Sequence, residues 1–195
     1  MTPTSLPLAM SLGSGIVIAV IIVLALIVIG IYNGLVRKRM EVRAAWSQID
    51  VQLKRRHDLI PNLVETVRGY AGHEKETLQR VINARSAAVS ATGPAQSAAA
   101  ENMLTGALRQ LLALSEAYPD LKANQNFMQL SEELTTTENK ISFARQHYNN
   151  CVGDYNQAIQ VFPAVIVAGQ LGFKPEEFYE LEDQKDKEAP QVKFS

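Results

Sequence analysis

Between Leu12 and Tyr32 the chain reads LGSGIVIAVIIVLALIVIGIY, with no charged residue and no proline. An apolar helix needs ~20 residues to cross a bilayer. The run is too long for a strand, and a core helix is rarely apolar on every side. In hydrocarbon a lone segment satisfies its own backbone only as an α-helix. The pattern therefore predicts one transmembrane helix over residues 12–32, preceded by a short external N-terminus, residues 1–11.

Beyond the span the apolar pattern changes to stripes. Trp46, Ile49, Leu53, Ile60, Leu63, Val67, Ala71, Leu78, Val81, Arg85 and Ala88 recur in steps of three and four, with Arg56 or His57 filling the gap before Ile60. That is one face of a helix. Pro61 interrupts the stripe without shifting its phase, so a single long, kinked helix from Gly34 to about Ala91 is the favoured expectation. Breaks at Pro61, or at Gly69 and Gly72, are the alternatives. Thr92-Gly93-Pro94 reads as a stop inside an Ala/Gly/Ser-rich linker. A second helix is expected from about Gln96 to Ala117, striped by Leu104, Leu108, Leu111, Leu112 and Ser115, and ended by Tyr118-Pro119-Asp120. A third runs from near Asn124 to about Gln160, striped by Phe127, Leu130, Leu134, Thr137, Ile141, Ala144, Tyr148, Val152, Tyr155 and Ile159, with Asn124 or Asn126 as its cap. PAVIVAGQLGF reads as a short apolar helix ending at Gly172. No stretch alternates with period two, so no sheet is expected.

Helices with one apolar stripe bury it against each other. The predicted fold is all-α: an N-terminal single transmembrane helix followed by an antiparallel up-and-down helical bundle over residues 33–173. Residues 174–195 are acidic and poor in large apolar groups, and read as a mobile tail with Phe178, Tyr179 and Phe194 as its anchors.

Charge sets the expected orientation. No Lys or Arg precedes the span, whereas Arg37, Lys38, Arg39 and Arg43 follow it directly. Positive charge collects on the cytoplasmic side, which puts the N-terminus outside and the bundle in the cytoplasm, at the inner membrane. A cleaved secretory signal would carry a basic start, a shorter apolar core and a small-x-small site, and the span is expected to remain as an anchor. The four basic residues form a collar suited to anionic headgroups, where each gains ~1 kcal/mol, and fixing topology is the equally weighted alternative. Net charge is −1, so nothing draws the whole chain to nucleic acid. The single cysteine, Cys151, lies far from the span and forms no intrachain disulfide.

The run from Tyr32, YNGLVRKRMEVRAAWSQIDVQLKRRHDLIPNLVETVRGYAGHEKETLQRVINARSAA, resembles the LemA family of bacterial membrane proteins. So do NFMQLSEELTTTENKISFARQHYNNCVGDYNQAIQVFP, the GF of LGFKPEEFY and the closing PQVKF. The resemblance implies an outside N-terminus and a cytoplasmic helical bundle. It implies little about activity. Family members are often encoded beside a membrane zinc metalloprotease of the HtpX type, and a relative acts in magnetosome membrane formation, which makes a protease adaptor or a membrane-remodelling factor the alternative functions.

Chemistry is sparse. His57, His73 and His147 begin no metal spacing; His73-Glu74 opens like H-E-x-x-H, but Lys75, Glu76 and Thr77 follow. Cys151 one turn from His147 has no evident third group to orient it. Phosphate-binding glycine loops are absent from the sequence. No catalytic residue, cofactor or metal is therefore expected. Gly30-x-x-x-Gly34 has the spacing that lets membrane helices approach, against the simpler account of a chance glycine pair. Trp46, Tyr70, Tyr148 and Tyr155 fall on the stripes and are expected in the core. The leading expectation is a non-enzymatic membrane scaffold that associates with copies of itself or with protein partners, and with no nucleic acid.

Overall fold

The computed structural model describes residues 6–180, with side chains from residue 13 onward. Six helices follow in order: α1 Leu6–Tyr70, α2 Lys75–Ser90, α3 Gly93–Ala117, α4 Pro119–Lys122, α5 Gln125–Ala158 and α6 Ala164–Ala168. Among the described residues there is no strand, and the fold is all-α. The chain divides into two compact units. The first joins the residues up to Arg43 with Gly153–Glu176, and the second joins Ala44–Val152 with the residues from Glu177. The residues expected as one bundle, 33–173, are thus shared between them.

In the first unit the start of α1 is long and apolar enough to cross a membrane. Every side chain larger than alanine from Ile16 to Ile29 is exposed. Leaving one such side chain in water costs about 1.5–3 kcal/mol, so a row of them calls for apolar surroundings. Further along, the unit closes its own interior with Leu35, Val42, Tyr155, Ile159, Ala164, Ala168 and Phe173, all buried.

In the second unit α1, α2, α3, α4 and α5 pack around a core that includes Ile60, Leu63, Val67, Val81, Leu104, Leu111 and Leu121. Cross-links fix the helix directions. Arg85 of α2 reaches back to His57 of α1, and Arg80 of α2 to Gln110 of α3. Trp46 meets Tyr148 while Arg56 meets Glu138, so α5 runs opposite to α1. The helices alternate up and down.

The expected single helix from Gly34 to Ala91 is corrected. It continues through Pro61 and stops at Tyr70; Ala71–Glu74 form a turn, and α2 begins at Lys75. Gly69 and Gly72 weaken the helix there by roughly 1 kcal/mol each. Folding back buries Leu78 and Val81, which an unbroken rod would leave in water. Pro61 removes a backbone donor, so the carbonyl four residues earlier, that of His57, loses its helical partner. Arg85 supplies the replacement: its Nε donates to the His57 carbonyl oxygen at 2.7 Å.

The linker is also shorter than expected. Gly93 and Pro94 open α3 rather than interrupting it, and Gly93 adopts the left-handed φ of 78° that glycine tolerates. Asn124 is the α5 cap, its Oδ1 accepting from the Phe127 amide at 2.9 Å. Tyr70 is exposed, contrary to its stripe position, and its hydroxyl accepts a hydrogen bond from Asn124 Nδ2 at 2.9 Å. Residues 1–5 of the expected external segment, the tail residues 181–195 and Phe194 lie outside the described residues.

Candidate functional site

The basic residues that follow the membrane helix stand in different surroundings. Arg37 and Arg43 are exposed and Lys38 is half-buried. Arg39 turns inward, its guanidinium 5.0 Å from the ring centroid of buried Phe173. Phe173 in turn meets the edge of Tyr32, with centroids 5.7 Å apart at 66°. A cation over an aromatic face contributes about 0.5–2 kcal/mol, so Arg39 holds Phe173 against α1. Nearby, the Tyr155 hydroxyl donates to the Lys174 carbonyl at 2.9 Å. Burial and then Glu176 push its ionisation above the ordinary phenol range, against the pull of Arg39. Gly30 is exposed and Gly34 half-buried, and a Cβ on either would meet nothing within 4 Å.

The second unit holds a buried charge cluster. Arg56, His57 and Glu101 are 3%, 8% and 2% exposed, which for polar and charged side chains demands hydrogen-bonded partners. Arg56 Nη1 lies 3.1 Å from Glu101 Oε2 and 3.1 Å from Glu138 Oε2, and Arg56 Nη2 donates to Thr105 Oγ1 at 2.6 Å. His57 Nε2 takes the other carboxylate oxygen, Glu101 Oε1, at 2.6 Å. Both oxygens of Glu101 are therefore engaged, each by a different α1 side chain. The hollow beside Arg56 is about 210 Å³, below the ~300–1,000 Å³ of small-molecule pockets. The arrangement can lock α1 to α3 and α5.

The stretch expected as a mobile tail from Lys174 is tied down through Glu180. In the first unit, Asn156 receives the Glu176 amide on Oδ1 at 2.8 Å and donates Nδ2 to the Glu176 carbonyl at 2.9 Å. In the second, Asn149 makes the same pair of bonds with Tyr179, at 2.9 and 3.1 Å. The Tyr148 hydroxyl also donates to the Glu177 carbonyl at 2.8 Å. Tyr179 is buried, packs on Trp46 at 6.2 Å, and lies beneath the Arg145 guanidinium. Burial first, then Glu101, push its phenol up to about 12, while Arg145 and Arg56 oppose them.

His73 is exposed, and His147 Nε2 lies 3.8 Å from Cys151 Sγ on α5. Sequence reasoning missed Glu101, because it falls inside an alanine-rich stretch whose first residues read as linker. It also passed over Arg85, although a charged residue on an apolar stripe has to find a buried partner.

Comparison with known proteins settles the lineage. The family model described as LemA family matches residues 45–194. The chain belongs to the LemA family. It is 31% identical over 147 residues to Protein LemA of Metamycoplasma hominis, covering 73% of this chain and 66% of that protein. It is 26% identical over 174 residues to the Magnetosome protein MamQ of Magnetospirillum gryphiswaldense, covering 76% of this chain and 64% of the relative. Magnetosome protein MamQ 2 of Paramagnetospirillum magneticum matches at 26% over 175 residues, with the same coverage. The match thus spans slightly under two thirds of the length of these relatives. As a LemA-family member the chain is a membrane-associated helical protein.

Proposed function

We propose that this LemA-family protein is a non-enzymatic, single-pass membrane scaffold that presents its helical bundle at the inner membrane surface to copies of itself or to protein partners. The observation that carries the reading is the exposed apolar stretch Ile16–Ile29, followed within a few turns by the exposed Arg37 and Arg43 and the half-buried Lys38. This order favours an outside N-terminus and a cytoplasmic bundle. The buried cluster supports a structural role, because both carboxylate oxygens of Glu101 are taken by Arg56 and His57, and Arg56 also holds Glu138 and Thr105. A catalytic group needs polar atoms left for a substrate.

Crosslinking in native membranes followed by purification tests this. Recovery of a homo-oligomer or of one defined partner is the expected result, and recovery only as a monomer overturns it. Capture of a membrane metalloprotease would favour the adaptor function instead. The similarity to the two magnetosome proteins supports membrane remodelling as a second reading. Vesicle shape on reconstitution separates them: a plain scaffold leaves vesicles unchanged.

A further inference from the structure

The short helix α6 is turned inside out. It buries its small residues, Ala164 and Ala168, and exposes the large ones, with Val165 at 51% and Ile166 at 60%. The turn leading into it continues the exposed face through Val161 and Phe162, the latter 78% exposed. In water this is the wrong way round, since burying the large side chains would contribute about 1.5–3 kcal/mol each. A contiguous exposed apolar face marks a contact surface, and its position within the first unit identifies the contact.

Ala158 and Ala164 line a groove together with Ile31, Gly34, Arg37 and Lys38 of α1. Phe173, just past α6, packs on Tyr32 and lies beneath Arg39. The exposed face is therefore carried at the level where α1 changes from apolar to basic, which is the headgroup boundary of a bilayer that α1 spans. Aromatic and aliphatic side chains beside an exposed Arg and a half-buried Lys are the composition of an interfacial segment, which sinks about 5–10 Å into the headgroup and acyl boundary. We infer that Val161, Phe162, Val165 and Ile166 form a second membrane contact, a wedge inserted into the leaflet next to the inner end of α1, with Arg37 and Lys38 on anionic headgroups beside it. The inference rests on α1 crossing the membrane, as proposed above.

The test uses the full chain with Cys151→Ser and one new cysteine at a time, labelled with an environment-sensitive fluorophore. The protein is reconstituted in vesicles of phosphatidylethanolamine and phosphatidylglycerol carrying nitroxide lipids. Ile166→Cys reports the wedge, Val165→Cys repeats it, Ile22→Cys reports the span, and Phe143→Cys reports an exposed position on α5 outside the first unit. The expected result is a blue-shifted wedge fluorophore that loses most of its emission to nitroxide high on the acyl chain. Ile22 should respond to nitroxide near the chain end, and Phe143 to neither. Quenching at Ile22 with none at Ile166 and Val165 overturns the wedge and leaves the span standing. A blue shift at Ile166 without nitroxide quenching means that protein, another copy or a partner, covers the face, and also overturns it. Loss of quenching at Ile22 overturns the span and the wedge together.

Discussion

Arg85 does for Pro61 what the proline nitrogen cannot. Leaving the His57 carbonyl unpaired in the interior costs roughly 1–3 kcal/mol, so Arg85→Met should destabilise the protein by about that much in urea unfolding. In a Pro61→Ala background the restored amide can bond the same carbonyl, and the Arg85 substitution should cost measurably less; equal costs in both backgrounds would refute the pairing. Glu101→Ala takes the carboxylate from His57 and leaves Arg56 with Glu138 and Thr105, for an expected loss of about 1–3 kcal/mol. Tyr179 makes a pH prediction. Its phenol is raised to about 12 in the folded protein, above the unfolded value of about 10. The stability it lends is complete below about 10 and is lost as pH rises from there to about 12, a fall of roughly 2–3 kcal/mol. Tyr179→Phe should flatten that part of the stability–pH curve, and an unchanged slope would count against the burial described. At this scale the sequence was least informative. Arg85 and Glu101 look ordinary in a linear reading, because their meaning comes from groups 28 and 44 residues away.

Helices were more legible than single residues. Ile49, Leu53, Ile60, Leu63, Val67, Leu78 and Val81 are all buried, as their three-and-four spacing implies, and so are Phe127, Leu134, Ile141, Tyr148, Val152 and Tyr155 on α5. The stripe survived the α1–α2 break because both arms face one core. For the same reason periodicity could not reveal the turn at Ala71–Glu74. The strap from Lys174 to Glu180 left no periodic trace either. It is held by side chains of α5 gripping backbone, a contact that any residue with a backbone N–H accepts. Asn149→Ala should remove both bonds to Tyr179, with each hydrogen bond contributing about 0.5–1.5 kcal/mol. Amide exchange at Tyr179 should accelerate while the α2 and α3 amides keep their protection. Retained protection at Tyr179 would show that the clamp is dispensable.

For the whole molecule, the run of exposed apolar side chains in α1 and the charge step after it dominate behaviour. Replacing Arg37, Lys38 and Arg43 together with Gln should weaken the enrichment of anionic lipid around the reconstituted protein by ~1 kcal/mol per charge and remove most of its salt dependence. Arg39→Gln should leave that enrichment nearly unchanged and instead loosen Phe173, which labelled anionic lipid and thermal unfolding would separate. Protease shaving of intact cells should leave the bundle intact; digestion from outside would reverse the proposed orientation. Net charge and composition could not have foretold this, since a balanced total hides a local surplus.

The two asparagine clamps have a last consequence. They recognise only main-chain atoms, and Glu177 and Glu180 beside them are exposed. Those two positions form a blank page on an ordered support: their lettering can be rewritten, so a reporter placed there would be displayed in a fixed pose without disturbing the fold beneath.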